Sequence, residues 1–595
     1  MPSSLLLLTA SDTELPDRSV KQIAEFMGLD VNEIRIGAES PIPFDFSRLD
    51  SFSGPHILVS SRTLGRLSRD SIWFSRFVTH ISQSLRSMLV YGFSSNGEDG
   101  EILKTLTNGR IPGATALPDA RTFTFADSMH DTAAVLKGFS FASKNPQNVC
   151  AFSLADNDPS IDILLRAEQR PLAVSLRLGQ CRLFLLARSD SVDIENEIPS
   201  TAALDSWYSG VLPIMVFLRM ALPGFYWENL FPGATLIIDD PLLKPGYGCV
   251  RYHDLLEQMR LLQCALTIGF IPYNYRRSDS EIIREAKGNL ERFSITVHGC
   301  DHTREEFGTV DGMLLEQKIR LAVERMNAHE KIHDFPYDKV MIPPQGFYST
   351  HALKALGRIQ FAAAVNTSPF PTDHVANPLR VRDLMDAAIT KYHAFPLFLR
   401  RYPDDLPHFA VDLFLGKPVL VAGHHDFFNA GYGEMASVVG RINGLDARVK
   451  WQPLQRNLAA TALYKKTTAN GYSVKVFTSQ CRIRNPGLFR CSFQILKRVP
   501  EEMIIERVER DGRRIDHATE SGTLECEVEL EPNADCGLEV ICRNDSGPVY
   551  KGSSAYACRV GARRALSEFR DNLLPRHERA YSLIMRLAKK LLRQK

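Results

Sequence analysis

Apolar and polar positions along the chain fall into three successive rhythms. Up to residue 228, short apolar runs (Leu5–Leu8, HILVSS at 56–61, MLVYGF at 88–93) alternate with amphipathic stretches. Within this part, PLAVSLRLGQCRLFLLA at 171–187 alternates about Leu178-Gly179-Gln180, the pattern of a hairpin. Residues 1–228 therefore read as an α/β layer, flavodoxin- or amidotransferase-like by analogy of fold alone. It carries no Gly-rich phosphate loop and no GxCxG or GxSxG nucleophile turn, so it is expected to be non-catalytic.

From 229 to 452 strands and helices alternate strictly. TLIIDD ends at Asp240, a helix follows over Tyr252–Gln263, then ALTIGFI, a helix near Ser280–Lys287, and SITVHG. That rhythm predicts a parallel sheet or barrel. From 453 to 562 the period becomes two, in GYSVKVFTSQ, FRCSFQIL, MIIERVER, TLECEVEL and GLEVICR, separated by turn residues, which predicts a β-sandwich. The final segment, 563–595, has Ala580, Leu583, Ile584, Leu587 and Leu591 at helical spacing beside Arg576, Arg579, Arg586, Lys589, Lys590, Arg593 and Lys595. It reads as a basic amphipathic helix, either packed on its own protein or lying on an anionic membrane face.

The longest apolar stretch, 207–227, contains Pro213, Arg219 and Pro223, which favours a buried core helix over a membrane span. The leading MPSSLLLLTASDTE lacks the basic start and longer apolar core of a secretory signal. Composition adds little to this and removes much. The 595 residues carry 71 Lys and Arg against 69 Asp and Glu, a net charge of +2, which argues against nucleic-acid binding. Eleven cysteines without a CxxC pair read as buried free thiols of a reducing compartment. The expectation is a cytoplasmic protein, held at the inner membrane face if the basic end binds lipid.

Candidate chemistry collects at strand ends of the central segment. Asp239 and Asp240 close one strand, His298 and His302 follow another, and His424, His425 and Asp426 follow a third. Paired carboxylates stay ionised together when a cation is near, and imidazoles are ligands for Zn²⁺ or a similar ion. A histidine outside the ligand set is suited to general acid work. Strand carboxyl ends are the functional edge of parallel α/β folds.

This order, Asp-Asp, then HxxxH, then a late strand ending His-Asp, resembles the polysaccharide deacetylase family (NodB homology, carbohydrate esterase family 4) over about 229–452. The resemblance implies a distorted (β/α) barrel with a divalent metal, commonly zinc, and removal of N-acetyl groups from a glycan or glycan precursor in polysaccharide metabolism, exopolysaccharide biosynthesis included. It implies Asp239 as base, Asp240, His298 and His302 as metal ligands, and His425 as general acid because it directly precedes Asp426. His424 stays open as the alternative acid, since strand alternation aims the two oppositely.

The chain departs from the family pattern in two places. Pro241 follows the aspartates directly, and Ile342 in MIPPQGFYS stands where an arginine usually orients the base, with Pro344 and Gly346 kept. Arg400 or Arg401 in FPLFLRRYP is a substitute for that arginine or a substrate contact, and Tyr273, Asn274 and Arg276 at another strand end are candidate sugar-binding groups.

His329-Glu330-Lys331-Ile332-His333 matches the HExxH protease signature, but Pro336 should end its helix, and zincins need the helix to continue. Two further readings are an inactive carbohydrate-binding scaffold of a polysaccharide-assembly complex and a different amide hydrolase on the same barrel.

Overall fold

Three nearly continuous apolar pentapeptides, Leu5–Thr9, His56–Ser60 and Ser87–Tyr91, begin the first sheet, and burial of both faces is why they do not alternate. The computed structural model describes residues 4–10, 15–36, 49, 51–52, 54–127, 129–143, 149–155, 158–188, 192–247, 249–376, 378–500, 503–543 and 547–573. They form two units: Met1–Glu228 with Pro378–Met385 and Tyr464–Ser473, and Asn229–Asn377 with Asp386–Leu463 and Val474–Lys595.

In the first unit β1 (Leu5–Thr9), β2 (Val31–Arg35), β3 (His56–Ser60) and β4 (Ser87–Tyr91) pair in parallel in the order β2-β1-β3-β4. Every residue of β1, β3 and β4 is buried. Cys181–Leu186 continues the sheet parallel to β4, and Arg170–Leu178 returns antiparallel to it, with Leu178 opposite Cys181 across a two-residue turn. Gly179 sits in that turn at φ +60°, a conformation glycine adopts at low cost. The apolar stretch from residue 207 forms the helix Tyr208–Ala221, buried from Tyr208 through Arg219. Arg219 is accommodated there with its guanidinium 5.0 Å from the Tyr226 ring centre. Among the described residues no helix is long and apolar enough to cross a membrane.

The second unit is built on parallel strands in the order 397–399, 363–366, 338–342, 293–298, 266–270, 233–239 and 419–424. Lys450–Trp451 adds a short parallel pairing to the start of Gly233–Asp239. The two ends of this row approach each other through a parallel bridge between Arg401 and Val421, with Arg401 N–H donating to the Leu420 carbonyl and the Arg401 carbonyl accepting from Ala422 N–H. The result is a barrel-like wall whose carboxyl edge carries Asp239, His298, Ile342 and His424.

After residue 461 two antiparallel sheets follow, of five and four strands. Thr523–Leu530 and Asp535–Cys542 bury alternate residues, as sheets with one apolar face must. The C-terminal helix begins earlier than its sequence suggests, at Ser554 rather than 563, because its packing residues include Tyr556. The basic positions from Arg576 to Lys595 lie outside the described residues.

The HExxH segment occupies the last turn of the helix Gly312–His333, which stops at Asp334 in the left-handed region. His329 is fully buried, 2.9 Å from the Ser278 hydroxyl and 5.1 Å from the Phe270 ring centre, while Glu330 is exposed. The imidazole is a packing element. Burial, then the neighbouring His333, pushes its pKa down from 6.5 to about 4. A depressed value means the unfolded chain takes up the proton first, so stability is full above pH 6.5 and falls as pH drops toward 4. His329 should account for about 3 kcal/mol of that loss. Urea unfolding of a His329→Leu variant is expected to show a flatter decline between these pH limits; an unchanged decline refutes the assignment.

Candidate active site

Asp239 is the last residue of Gly233–Asp239, all seven of whose residues are buried. Asp240 follows at φ +81°, unusual for a residue other than glycine, with its N–H held by the Gly269 carbonyl at 3.1 Å. This bend breaks the two-residue alternation, and both carboxylates stay buried, at 8% and 7% exposure. Gly269 on the adjacent strand makes the room: a Cβ there would lie 2.7 Å from Asp239 Oδ1.

The two carboxylates are compensated differently. Arg400, itself buried, grips Asp239 with both Nη atoms, at 2.9 Å to Oδ1 and 2.5 Å to Oδ2. Asp240 Oδ1 lies 3.1 Å from His302 Nε2 and 3.4 Å from His298 Nε2, and Oδ2 lies 2.8 Å from His424 Nε2. Burial works to raise the Asp239 pKa, but Arg400 and His298 outweigh it and the group stays below the usual carboxylate range. Burial likewise opposes ionisation of Asp240, and the three imidazoles hold it well below. Burial lowers, and the two aspartates more strongly raise, the pKa of His298; His424 is raised against burial by Asp240 first.

The second motif is held in place by its surroundings. His298 Nδ1 lies 2.9 Å from the Ile342 carbonyl, which can only accept, so Nδ1 carries the hydrogen and Nε2 presents its lone pair toward Asp240 when the ring is neutral. The loop after His298 turns through Gly299 at φ +72°, and its N–H groups converge on one buried carboxylate, Glu306. Cys300, Asp301 and His302 donate to Glu306 at 3.0, 3.1 and 3.0 Å, and Lys318 pairs with it at 3.1 Å. Arg325 pairs with Asp301 at 2.7 Å, and Tyr556 of the C-terminal helix donates to Asp301 at 2.7 Å. Glu306, Lys318, Arg325 and Tyr556 were not legible in the sequence, since nothing in their spacing marks them.

Two clusters of potential ligand atoms occur among the described residues: Asp240, His298 and His302, with atoms within 4.8 Å of one another, and Cys300, Asp301 and Glu306. The second already holds the cationic Lys318 and Arg325, which supply its compensating charge. The first fits a divalent ion. Asp240 Oδ1 is buried without a hydrogen-bond partner and faces two imidazole Nε2 atoms, a set suited to zinc or a similar ion.

The remaining candidate residues differ in what they touch. It is His424, paired in register with Asp239, that reaches Asp240; His425 is buried with its ring 6.4 Å from that of Tyr247. Arg401 binds Asp412, at 2.9 Å from Nη2, and joins the strand bridge. The 272–277 segment meets the C-terminal helix: Arg277 pairs with Glu568, and a Cβ at Gly561 would meet the Tyr273 hydroxyl at 3.4 Å. Asn274 is 1% exposed, and exposed Arg276 lies over Tyr275, 5.0 Å from its ring centre. Of the candidate sugar-binding groups, Asn274 is thus buried and Arg276 stays exposed.

Neither a protein-family model nor a curated protein sequence matches the chain. Solved structures do. The carbohydrate deacetylase Agd3 matches at TM-score 0.45 and 11% identity, over 91% of this chain and 99% of its own. The family 4 carbohydrate esterase from Streptomyces lividans matches at TM-score 0.22 and 11% identity, over 37% and 91%. The peptidoglycan N-acetylglucosamine deacetylase Bc1960 matches at 0.24 and 11%, over 38% and 88%. Likenesses this distant decide nothing about chemistry, which rests on the residues above.

Breaking the support of the second motif should be felt at the site. Glu306→Gln leaves Lys318 buried without its counter-charge and is expected to cost about 3 kcal/mol of stability. Chemical denaturation measures this, and a change under 1 kcal/mol (roughly the value of an exposed pair) would refute the role.

Proposed function

We propose that the second unit is a metal-dependent hydrolase of linear amides. More particularly, it is an N-acetyl-sugar deacetylase of the polysaccharide deacetylase type, acting on a glycan or glycan precursor. The observation that carries this reading is Asp240 Oδ1, buried without a hydrogen bond and facing His298 and His302, beside a second carboxylate, Asp239, held ionised by Arg400. The finer assignments, a NodB-type barrel, a silent flavodoxin-type α/β layer before it and a β-sandwich after it, belong to the same proposal.

Asp240, His298 and His302 would hold the ion. A divalent cation supplies Lewis-acid charge there, polarising an amide carbonyl and lowering the pKa of water. Asp239 takes the proton from the attacking water. Its two oxygens are fixed by the Arg400 fork, and each keeps a lone pair free for that proton. Arg400 thus fills the place of the arginine that Ile342 lacks, which supports an active site over an inactive scaffold.

His424 is the general acid in this reading, in place of His425. Its Nε2 is oriented by Asp240, and with 44% of its side chain exposed it can meet a substrate nitrogen. Proton transfer from His424 to the leaving nitrogen gives acetate and a free amine.

Acetate release from N-acetylglucosamine oligosaccharides tests this. Asp239→Asn and His424→Ala are each expected to lower kcat by about 100-fold or more, with bound metal retained in Asp239→Asn. His425→Ala should leave more activity than His424→Ala. Chelation should abolish turnover, and added Zn²⁺ should restore it. Undiminished release by Asp239→Asn would overturn the base assignment, and metal-free protein with full activity would overturn the class.

A further inference from the structure

Of the three candidate ligands, His302 stands farthest from a strand. His298 closes Phe293–His298 and Asp240 directly follows Gly233–Asp239, whereas His302 lies in the loop after Gly299. Its backbone is at φ +56°, in the left-handed region that residues with a Cβ enter at a cost. Its Nε2 nevertheless comes within 3.1 Å of Asp240 Oδ1. A loop in such a conformation needs surroundings that fix it, and two buried carboxylates supply them.

Glu306 is the first, receiving the N–H groups of Cys300, Asp301 and His302. Asp301, the residue before His302, is the second. Its Oδ1 accepts from Arg325 at 2.7 Å and its Oδ2 from the Tyr556 hydroxyl at 2.7 Å. The same hydroxyl accepts from Lys318 Nζ at 3.0 Å, and Lys318 reaches Glu306 at 3.1 Å. Tyr556 therefore joins both carboxylates in one chain of charged hydrogen bonds, running Glu306, Lys318, Tyr556, Asp301, Arg325. Loss of its hydroxyl takes a partner from a buried carboxylate oxygen and from a buried ammonium at once.

The tyrosine belongs to a helix docked by one stripe. In Ser554–Leu573, Tyr556, Val560, Arg564 and Glu568 recur at helical spacing, and Val560 and Arg564 are buried. Glu568 grips Arg277, at 2.8 Å between Oε2 and Nη2, and the Tyr556 ring packs edge-on against Tyr550, 5.4 Å between centres. The described positions between the stripe residues are exposed or half-buried. A helix with so few buried apolar contacts opens at lower free energy than the barrel beneath it. Resting on the metal reading above, we infer that Tyr556 is a positioning residue for His302, so that metal affinity is coupled to docking of the C-terminal helix. The coupling is reciprocal: the helix tightens the hold on the ion, and the ion tightens the hold on the helix.

The Zn²⁺ affinity of the full-length protein, read by competition with a chromophoric chelator, tests this. Tyr556→Phe keeps the ring and loses the hydroxyl, and is expected to weaken Zn²⁺ binding by about tenfold. Tyr550→Phe keeps the ring that packs on Tyr556 and Lys318 and leaves the bonds of the chain in place, so it should bind as wild type does. Glu568→Gln lies far from the ion and loosens only the helix, and should weaken binding by a smaller factor. Circular dichroism shows that each variant is folded. In wild type, Zn²⁺ should slow amide hydrogen exchange across Ser554–Leu573, a readout that needs no variant. Wild type that binds no Zn²⁺ overturns the metal reading and this inference together. Wild type that binds Zn²⁺, with equal affinity in Tyr556→Phe, overturns the inference alone. Exchange in the helix that is indifferent to Zn²⁺, or affinity unchanged in Glu568→Gln, overturns the coupling to docking.

Discussion

Two adjacent carboxylates buried at one strand end would repel each other and lose hydration, and the rest of the candidate site is arranged around that constraint. Asp239 and Asp240 are relieved separately, one by a guanidinium fork and the other by imidazoles. The separation has a chemical consequence. Asp239 carries its own permanent counter-charge, whereas Asp240 keeps an oxygen directed at nitrogen atoms that can share a cation with it. In the proposed reading, a base and a ligand thus arise from the same residue type in consecutive positions, distinguished by their neighbours alone.

Holding that arrangement requires support from outside the strand ends. The second motif hangs on Glu306, whose carboxylate gathers three successive N–H groups and is balanced by buried Lys318. Tyr556 of the C-terminal helix joins Lys318 and Asp301, at 3.0 and 2.7 Å, so a segment more than two hundred positions away in sequence braces the histidine loop. The same helix pairs Glu568 with Arg277. Tyr273, which looks available for a substrate in the sequence, lies against this helix at Gly561.

The first unit follows more directly from its strand pattern. Its apolar pentapeptides specify a parallel sheet covered on both faces, and its buried helix and hairpin follow from the same rule.

Much of the barrel unit was readable in the sequence: the runs ending in Asp-Asp, in His298 and in the His-His pair are strands, and their carboxyl ends do share an edge. The units themselves were less so, since Pro378–Met385 and Tyr464–Ser473 cluster with Met1–Glu228, which no local pattern signals. The chain also holds pairs of identical neighbours, His424-His425 and Arg400-Arg401, between which sequence cannot choose. Adjacent residues in extended chain point opposite ways, and only the pairing register fixes which way is inward. Pairing with Gly233–Asp239 sets His424 opposite Asp239, and the Arg401–Val421 bridge leaves Arg400 to reach the carboxylate. The sequence by itself determined which residue types arrive at this edge; the tertiary structure decided which of each pair faces the site, because register is a property of two strands and never of one.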